Sequence, residues 1–155
     1  KQDRKIVPRN SYFQTMTINE TQDEIIEEFS LFDDWEEKYE YIIDIGKKLP
    51  PLQEQFKTED HIIKGCQSRV WLHADRDDEK VLFEGDSDAV IVKGLIALLI
   101  RVLSGHTAEE IARSDLYFID RIGMKQHLAQ TRANGLLAML KQMKLYAVAY
   151  STMSE

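Results

Sequence analysis

The sequence predicts an α+β domain in which a small antiparallel sheet, of two to three strands, packs against helices. Three observations carry this expectation. Apolar residues recur at helical spacing toward both ends of the chain, an alternating segment broken by a polar turn lies in the middle, and a long apolar run follows it. With 155 residues, 43% apolar and 30% charged, the chain is long enough for one domain with a real core.

Residues 1–15 lack helical periodicity and precede Met16, so they read as a tag or flexible extension, with 16–155 as the single domain. Thr21 and Glu24 have capping-box spacing ahead of Ile25, Ile26 and Phe29, which predicts a short first helix. Asp34 and Glu37 repeat that signal before the stripe Trp35, Tyr39, Ile42, Ile43, and Pro50-Pro51 stops this second helix. Val70, Leu72 and Ala74 then alternate with Arg69, Trp71 and His73. After the polar stretch Asp75–Asp78 comes Val81-Leu82-Phe83, completing a hairpin, and Ile62-Ile63 is a candidate third strand.

Gly85-Asp86-Ser87-Asp88 reads as a turn plus N-cap for a buried helix over Val90–Leu103, ended by Gly105. Thr107 and Glu110 form another capping box, and Tyr117–Met124 supplies a helical turn or two. Thr131 is expected to cap a last amphipathic helix with apolar positions Leu136, Leu137, Leu140, Met143 and Leu145. Gly135, in its first turn, costs about 1 kcal/mol relative to alanine and points to close packing there. Gly46, Trp35 and Trp71 read as packing residues.

The net charge is −7, and no basic stripe offsets it, which disfavours nucleic-acid binding. The apolar run is too short to span a bilayer, and no apolar stretch follows the basic N-terminal residues as a secretory signal would require. One cysteine cannot form an internal disulfide, so it reads as a free thiol in a reducing cytoplasm.

That cysteine, Cys66, is the candidate functional residue. It sits in Ile63-Lys64-Gly65-Cys66-Gln67-Ser68-Arg69, leading into a strand. Free cysteines are often simply buried. Here, Gly65 permits a tight bend, Lys64 favours the thiolate, and such a loop is where a scaffold presents reactive groups. Gln67 and Ser68 offer hydrogen bonds to pin the loop, Asp86 or Asp88 could accept from it, and Arg132 could hold a carboxylate or a sulfur anion. His61, His73, His106 and His127 form no ligand pair and read as exposed loop or strand residues, so no metal is expected. A Cys–His hydrolase using His61 or His127 remains an alternative, as does an interaction module with an inert cysteine.

Gly65-Cys66-Gln67-Ser68-Arg69-Val70-Trp71-Leu72, Gly85-Asp86-Ser87-Asp88-Ala89, Ile91-Val92-Lys93-Gly94-Leu95-Ile96-Ala97-Leu98 and Arg132-Ala133-Asn134-Gly135-Leu136 resemble motifs of the SufE/CsdE family, in order. Trp35-Glu36-Glu37-Lys38-Tyr39 and Leu49-Pro50 resemble its N-terminal helices, so the likeness covers about Thr21 to Ala147. It implies the SufE/IscU-like fold and a sulfur-acceptor protein of iron–sulfur cluster assembly, with no cofactor of its own. Its partners would be a pyridoxal-phosphate-dependent cysteine desulfurase (SufS- or CsdA-like) and a SufBCD-like scaffold. The family's sulfur-accepting cysteine falls on Cys66. Gly65, Gln67, Asp86, Asp88 and Arg132 are the expected supporting residues.

Overall fold

A computed structural model describes residues 16–153. The elements are α1 (Ile18–Phe29), α2 (Trp35–Lys47), two 3₁₀ turns (Glu54–Phe56 and Glu59–His61), β1 (Val70–Asp77), β2 (Lys80–Ser87), α3 (Val90–Leu103), β3 (His106–Thr107), α4 (Ala108–Arg113), α5 (Phe118–Arg121), α6 (Met124–His127) and α7 (Gln130–Met153). The antiparallel sheet has the order β1-β2-β3, so the predicted α+β class holds. The expectation about residues 1–15 lies outside the described residues.

Helix α3 is apolar on nearly every side because it is covered on nearly every side: Leu95, Ile96, Leu98, Leu99, Val102 and Leu103 are fully buried. It meets α2 backbone to backbone. A Cβ on Gly46 would lie 2.6 Å from the Gly94 nitrogen, and one on Gly94 would collide with the Ile42 carbonyl. Gly46 is therefore the packing residue it was read to be. The sheet lies against α3 where Gly85 leaves room: a Cβ there would lie 3.1 Å from Ile96 Cγ1.

Several boundaries differ from expectation. Helix α1 is opened by the Thr17–Glu20 capping box, not by Thr21 and Glu24. Both pairs have the right spacing, but Thr21 and Gln22 are buried in one stripe with Ile18, Ile25 and Phe29. Gln22 is paired there, donating to the Asp115 carbonyl and accepting from the Phe118 amide. Asp34 caps α2 as predicted, through the Glu37 amide. The Thr107–Glu110 box likewise opens α4.

The hairpin is longer than its alternation indicated. Asp77 pairs with Lys80, leaving Asp78-Glu79 as a two-residue turn, with Asp78 at φ +60°. Asp75, Arg76 and Asp77 are exposed strand residues beyond the core, and their polarity marks solvent, not a turn. The third strand is His106–Thr107, paired to Val81 and Lys80. Ile62 makes only one bridge, to Trp71, and the Ile63 amide donates to the Val70 carbonyl. Two residues between a helix end and a cap carry no period-2 pattern to read.

Helix α7 begins at Gln130, so Thr131 lies inside its first turn and is not the cap. It runs 24 residues, and its buried stripe is Gly135, Leu136, Met139, Met143 and Ala147. Leu137 and Leu145 are about half exposed. His106 is also unlike its expectation: it is buried, its Nε2 has no hydrogen-bond partner among the described residues, and burial holds its pKa below 6.5.

Candidate functional site

The loop from Lys64 to Arg69 is anchored at both ends on the sheet and rests on α7. At its start, the Ile63 amide donates to the Val70 carbonyl. At its end, Asp88 accepts the Arg69 amide at 3.0 Å, while the Asp88 amide and the Ser87 hydroxyl both donate to the Arg69 carbonyl. Asp88 is thus a clasp for the loop and not the cap of α3, whose N-cap is Ala89 with no side-chain bond.

Gly65 turns the chain with φ +96°, and a Cβ there would sit 3.3 Å from the Ala138 methyl of α7. The residue is needed both for its left-handed backbone and for that close approach. Gly135 supplies the matching flat spot on α7. A Cβ on it would lie 3.5 Å from Cys66 Sγ, so the predicted close packing at Gly135 is packing against the cysteine itself.

Cys66 is half-buried and free, and its thiol donates to the Gly135 carbonyl at 3.7 Å. Burial pushes its pKa above 9.0. Lys64, expected to favour the thiolate, is exposed to solvent, and burial is the influence that sets the direction. The thiol forms one wall of a cavity of about 250 Å³. Gln67 and Ser68 line it beside the sulfur, Val92, Leu95 and Met139 form its apolar back, and Thr131, Arg132 and Gly135 close it from α7. Gln67 and Ser68 make no side-chain hydrogen bond among the described residues, so the pinning expected of them is done by Ser87 and Asp88. Half-buried Arg132 has no carboxylate partner among the described residues and stands as an unneutralised guanidinium on the cavity wall.

Asp86 is elsewhere. It is 5% exposed and faces the other side of the sheet, where its carboxylate accepts from the Leu52 and Ser87 amides and lies 3.5 and 3.4 Å from the Lys57 and Lys93 ammonium groups. Burial works against its ionisation, yet those amides and Lys93 hold its pKa below 3.8. It fastens the segment after α2 to the sheet and does not touch Cys66, which corrects its expected place beside the thiol.

No histidine lines the cavity or bonds the cysteine. His127 stacks on Trp35 at 4.9 Å, and His61 packs against Phe56 and His73. The Cys–His dyad therefore has no geometric support. The structure thus gathers Cys66, Gln67 and Arg132 at one cavity, sets Gly65 beside it against Ala138, puts Asp88 at the loop's end, and leaves Asp86 out. Val92, Leu95 and Met139 were legible only as helix interior; nothing in their spacing separates a cavity wall from core. Among the described residues no three His, Cys, Asp or Glu side chains are placed to hold a metal ion, and no helix is long and apolar enough to cross a membrane.

Residues 23–147 match the SufE family, described as an Fe–S metabolism associated domain. A SufE-like protein of Rhizobium meliloti is 44% identical over 127 residues, covering 79% of this chain and 91% of its own. One from Synechocystis is 41% identical over 126 residues, 81% of this chain and 79% of the relative. The chloroplastic and mitochondrial SufE-like protein 1 of Arabidopsis thaliana is 42% identical over 143 residues, which are 90% of this chain and 38% of that longer protein. In fold, the chain is similar to the solution structure of a hypothetical protein from Thermus thermophilus, with a TM-score of 0.71, 22% identity, and coverage of 85% and 96% of the two chains. The loop, its cavity and these matches agree: the chain belongs to the SufE family of Fe–S metabolism proteins.

Proposed function

We propose that this protein is a sulfur relay, accepting persulfide sulfur on Cys66 from a pyridoxal-phosphate-dependent cysteine desulfurase and passing it to an iron–sulfur scaffold complex. The observation that carries the reading is the thiol's position on the wall of a small cavity that Arg132 also lines, in a chain of this family. In the transfer, the Cys66 thiolate attacks the outer sulfur of the partner's persulfide. The new S–S bond forms on Cys66 as the old one breaks, and the partner's cysteine leaves as a thiolate. The reaction exchanges one persulfide for another, so no external oxidant or reductant is consumed.

The cavity has room for that outer sulfur, and Arg132 offers charge to a persulfide anion. With a single cysteine, the chain has no second thiol to discharge the persulfide internally, so the sulfur must leave to another protein. Burial raises the pKa of the resting thiol, which further favours the protonated form and slows its oxidation in the free protein. A lone relay thiol works in a reducing compartment, in keeping with the cytoplasmic expectation.

The test is to incubate the protein with a cysteine desulfurase and cysteine, then take an intact mass. The expected result is the gain of sulfur mass on Cys66, together with faster desulfurase turnover, and the loss of both in Cys66→Ser. A serine variant that stimulates turnover fully, with small-molecule reductant limiting, would exclude the relay. The inert module predicts no added sulfur on either protein.

A further inference from the structure

The segment between α2 and the Cys66 loop crosses the sheet face opposite α3 as a strap. It holds on at two places. One is Asp86, through the Leu52 amide and Lys57. The other is a cluster of three rings: Phe56 stacks on His73 of β1 at 3.7 Å, and His61 lies 5.4 Å from both Phe56 and His73. One residue past His61, Ile62 bridges to Trp71, and the Cys66 loop begins two residues later. The ring cluster thus lies immediately upstream of the Ile62–Trp71 bridge and the Ile63–Val70 bond that anchor the loop.

We propose that the Phe56–His61–His73 cluster is a proton-sensitive clasp, whose protonation releases the strap and mobilises the Cys66 loop. The geometry places two imidazoles side by side with one apolar ring between strap and sheet, an arrangement that accepts two neutral rings and resists two charged ones. His73 faces Glu84, its cross-strand partner on β2, Asp75 on its own strand, and His61 on the strap. The two carboxylates favour its imidazolium. Burial, the larger influence, and His61 oppose it, and they leave its pKa below 6.5. His61 faces His73 and Phe56, and its Nδ1 is bonded to Thr58 Oγ1 at 2.9 Å, with exposed Glu59 and Asp60 adjacent in the same turn.

The sign follows from that direction. A released His73 binds its proton more readily than a docked one, so docking is complete above pH 6.5 and weakens as pH falls from 6.5 toward the lower docked value. The released population rises roughly tenfold for each unit by which the docked pKa lies below the free one. Buried His106 is shifted in the same direction, but it lies on β3 beside Glu110 of α4, away from the strap.

The measurement is amide hydrogen exchange on the full chain across this pH range, corrected for the intrinsic rate, comparing residues 52–68 with α3. Expected is a loss of protection in 52–68 that precedes any loss in α3, and that is absent in His73→Val. His61→Asn, a strap substitution that leaves the strand intact, removes one of the influences opposing protonation of His73 and is expected to lessen the loss. Protection in 52–68 that is flat with pH, that falls only together with α3, or that falls equally in both variants would overturn the clasp. The inference gives the sulfur-relay reading a control element. Because exchange is measured without partner or sulfur, its failure leaves the relay untouched, and failure of sulfur loading leaves the clasp untouched.

Discussion

Replacing Gly65 with alanine tests how the structure keeps Cys66 closed. At φ +96° an L side chain is strained, and the added methyl would also sit 3.3 Å from the Ala138 methyl, tighter than ordinary contact. Such a conformation costs about 1–3 kcal/mol in the closed loop. An open loop relaxes it, because the backbone there is free to leave the left-handed region. The anchors at Ile63 and Arg69 lie outside the substituted residue, so the strain falls on the contact between loop and α7 and leaves the core intact. Converted to a population, the cost raises the open fraction roughly five- to hundredfold. The assay is the rate of Cys66 alkylation against pH, with thermal unfolding measured in parallel. Two changes are expected together. The limiting rate rises, and the midpoint of the profile falls toward 9.0, because an open thiol no longer suffers the burial that raises its pKa. Unchanged alkylation with an unchanged midpoint would refute the argument that Gly65 holds the thiol against α7. A large fall in unfolding temperature without faster alkylation would show that the strain reaches the core instead.

Arg132→Ala is expected to slow sulfur acceptance while costing less than about 1 kcal/mol of stability, since the side chain is only half-buried and has no carboxylate partner among the described residues; transfer at the wild-type rate would remove its role. Gly94→Ala should destabilise the domain by about 3 kcal/mol or more in denaturant unfolding, because the methyl meets the Ile42 carbonyl of a helix that cannot move aside. Asp86→Asn should cost about 1–3 kcal/mol, by leaving Lys57 and Lys93 without their buried partner. The wild type should lose that contribution as pH falls through 3.8 toward the lower folded value, and the asparagine variant should lack this acid limb.

The elements set by local chemistry were legible in the sequence. Asp34 and Thr107 cap α2 and α4 through bonds to residues three positions on, and α3 is buried along most of its length, as its long apolar run requires. The same reasoning read Gly135 as a close contact, because a glycine in a helical turn needs a reason, and the structure sets it against Cys66. Where two local signals were equivalent, it had no means to choose. Thr17–Glu20 and Thr21–Glu24 have identical spacing, and only the burial of Thr21 and Gln22 against the α5 region decides between them. The polar run Asp75–Asp77 looked like a turn because alternation ceases once a strand leaves the core, although its hydrogen bonds continue.

The site divides along the same line. In the sulfur-relay reading proposed above, the residue that would bear the sulfur is a matter of composition, because the sequence has one cysteine. What surrounds it is decided by contacts between residues far apart in the chain: Cys66 with Gly135, Arg69 with Asp88, Asp86 with Leu52 and Lys57. Asp86 and Asp88 are neighbours but one in the sequence, yet one clasps the loop and the other fastens the strap. In a strand such residues would share a face, but the chain leaves β2 at Ser87, so Asp88 bonds back to Arg69 while Asp86 stays buried under the strap. Local chemistry determined the parts of this protein; the end of one strand decided which of two aspartates reaches the loop that bears the thiol.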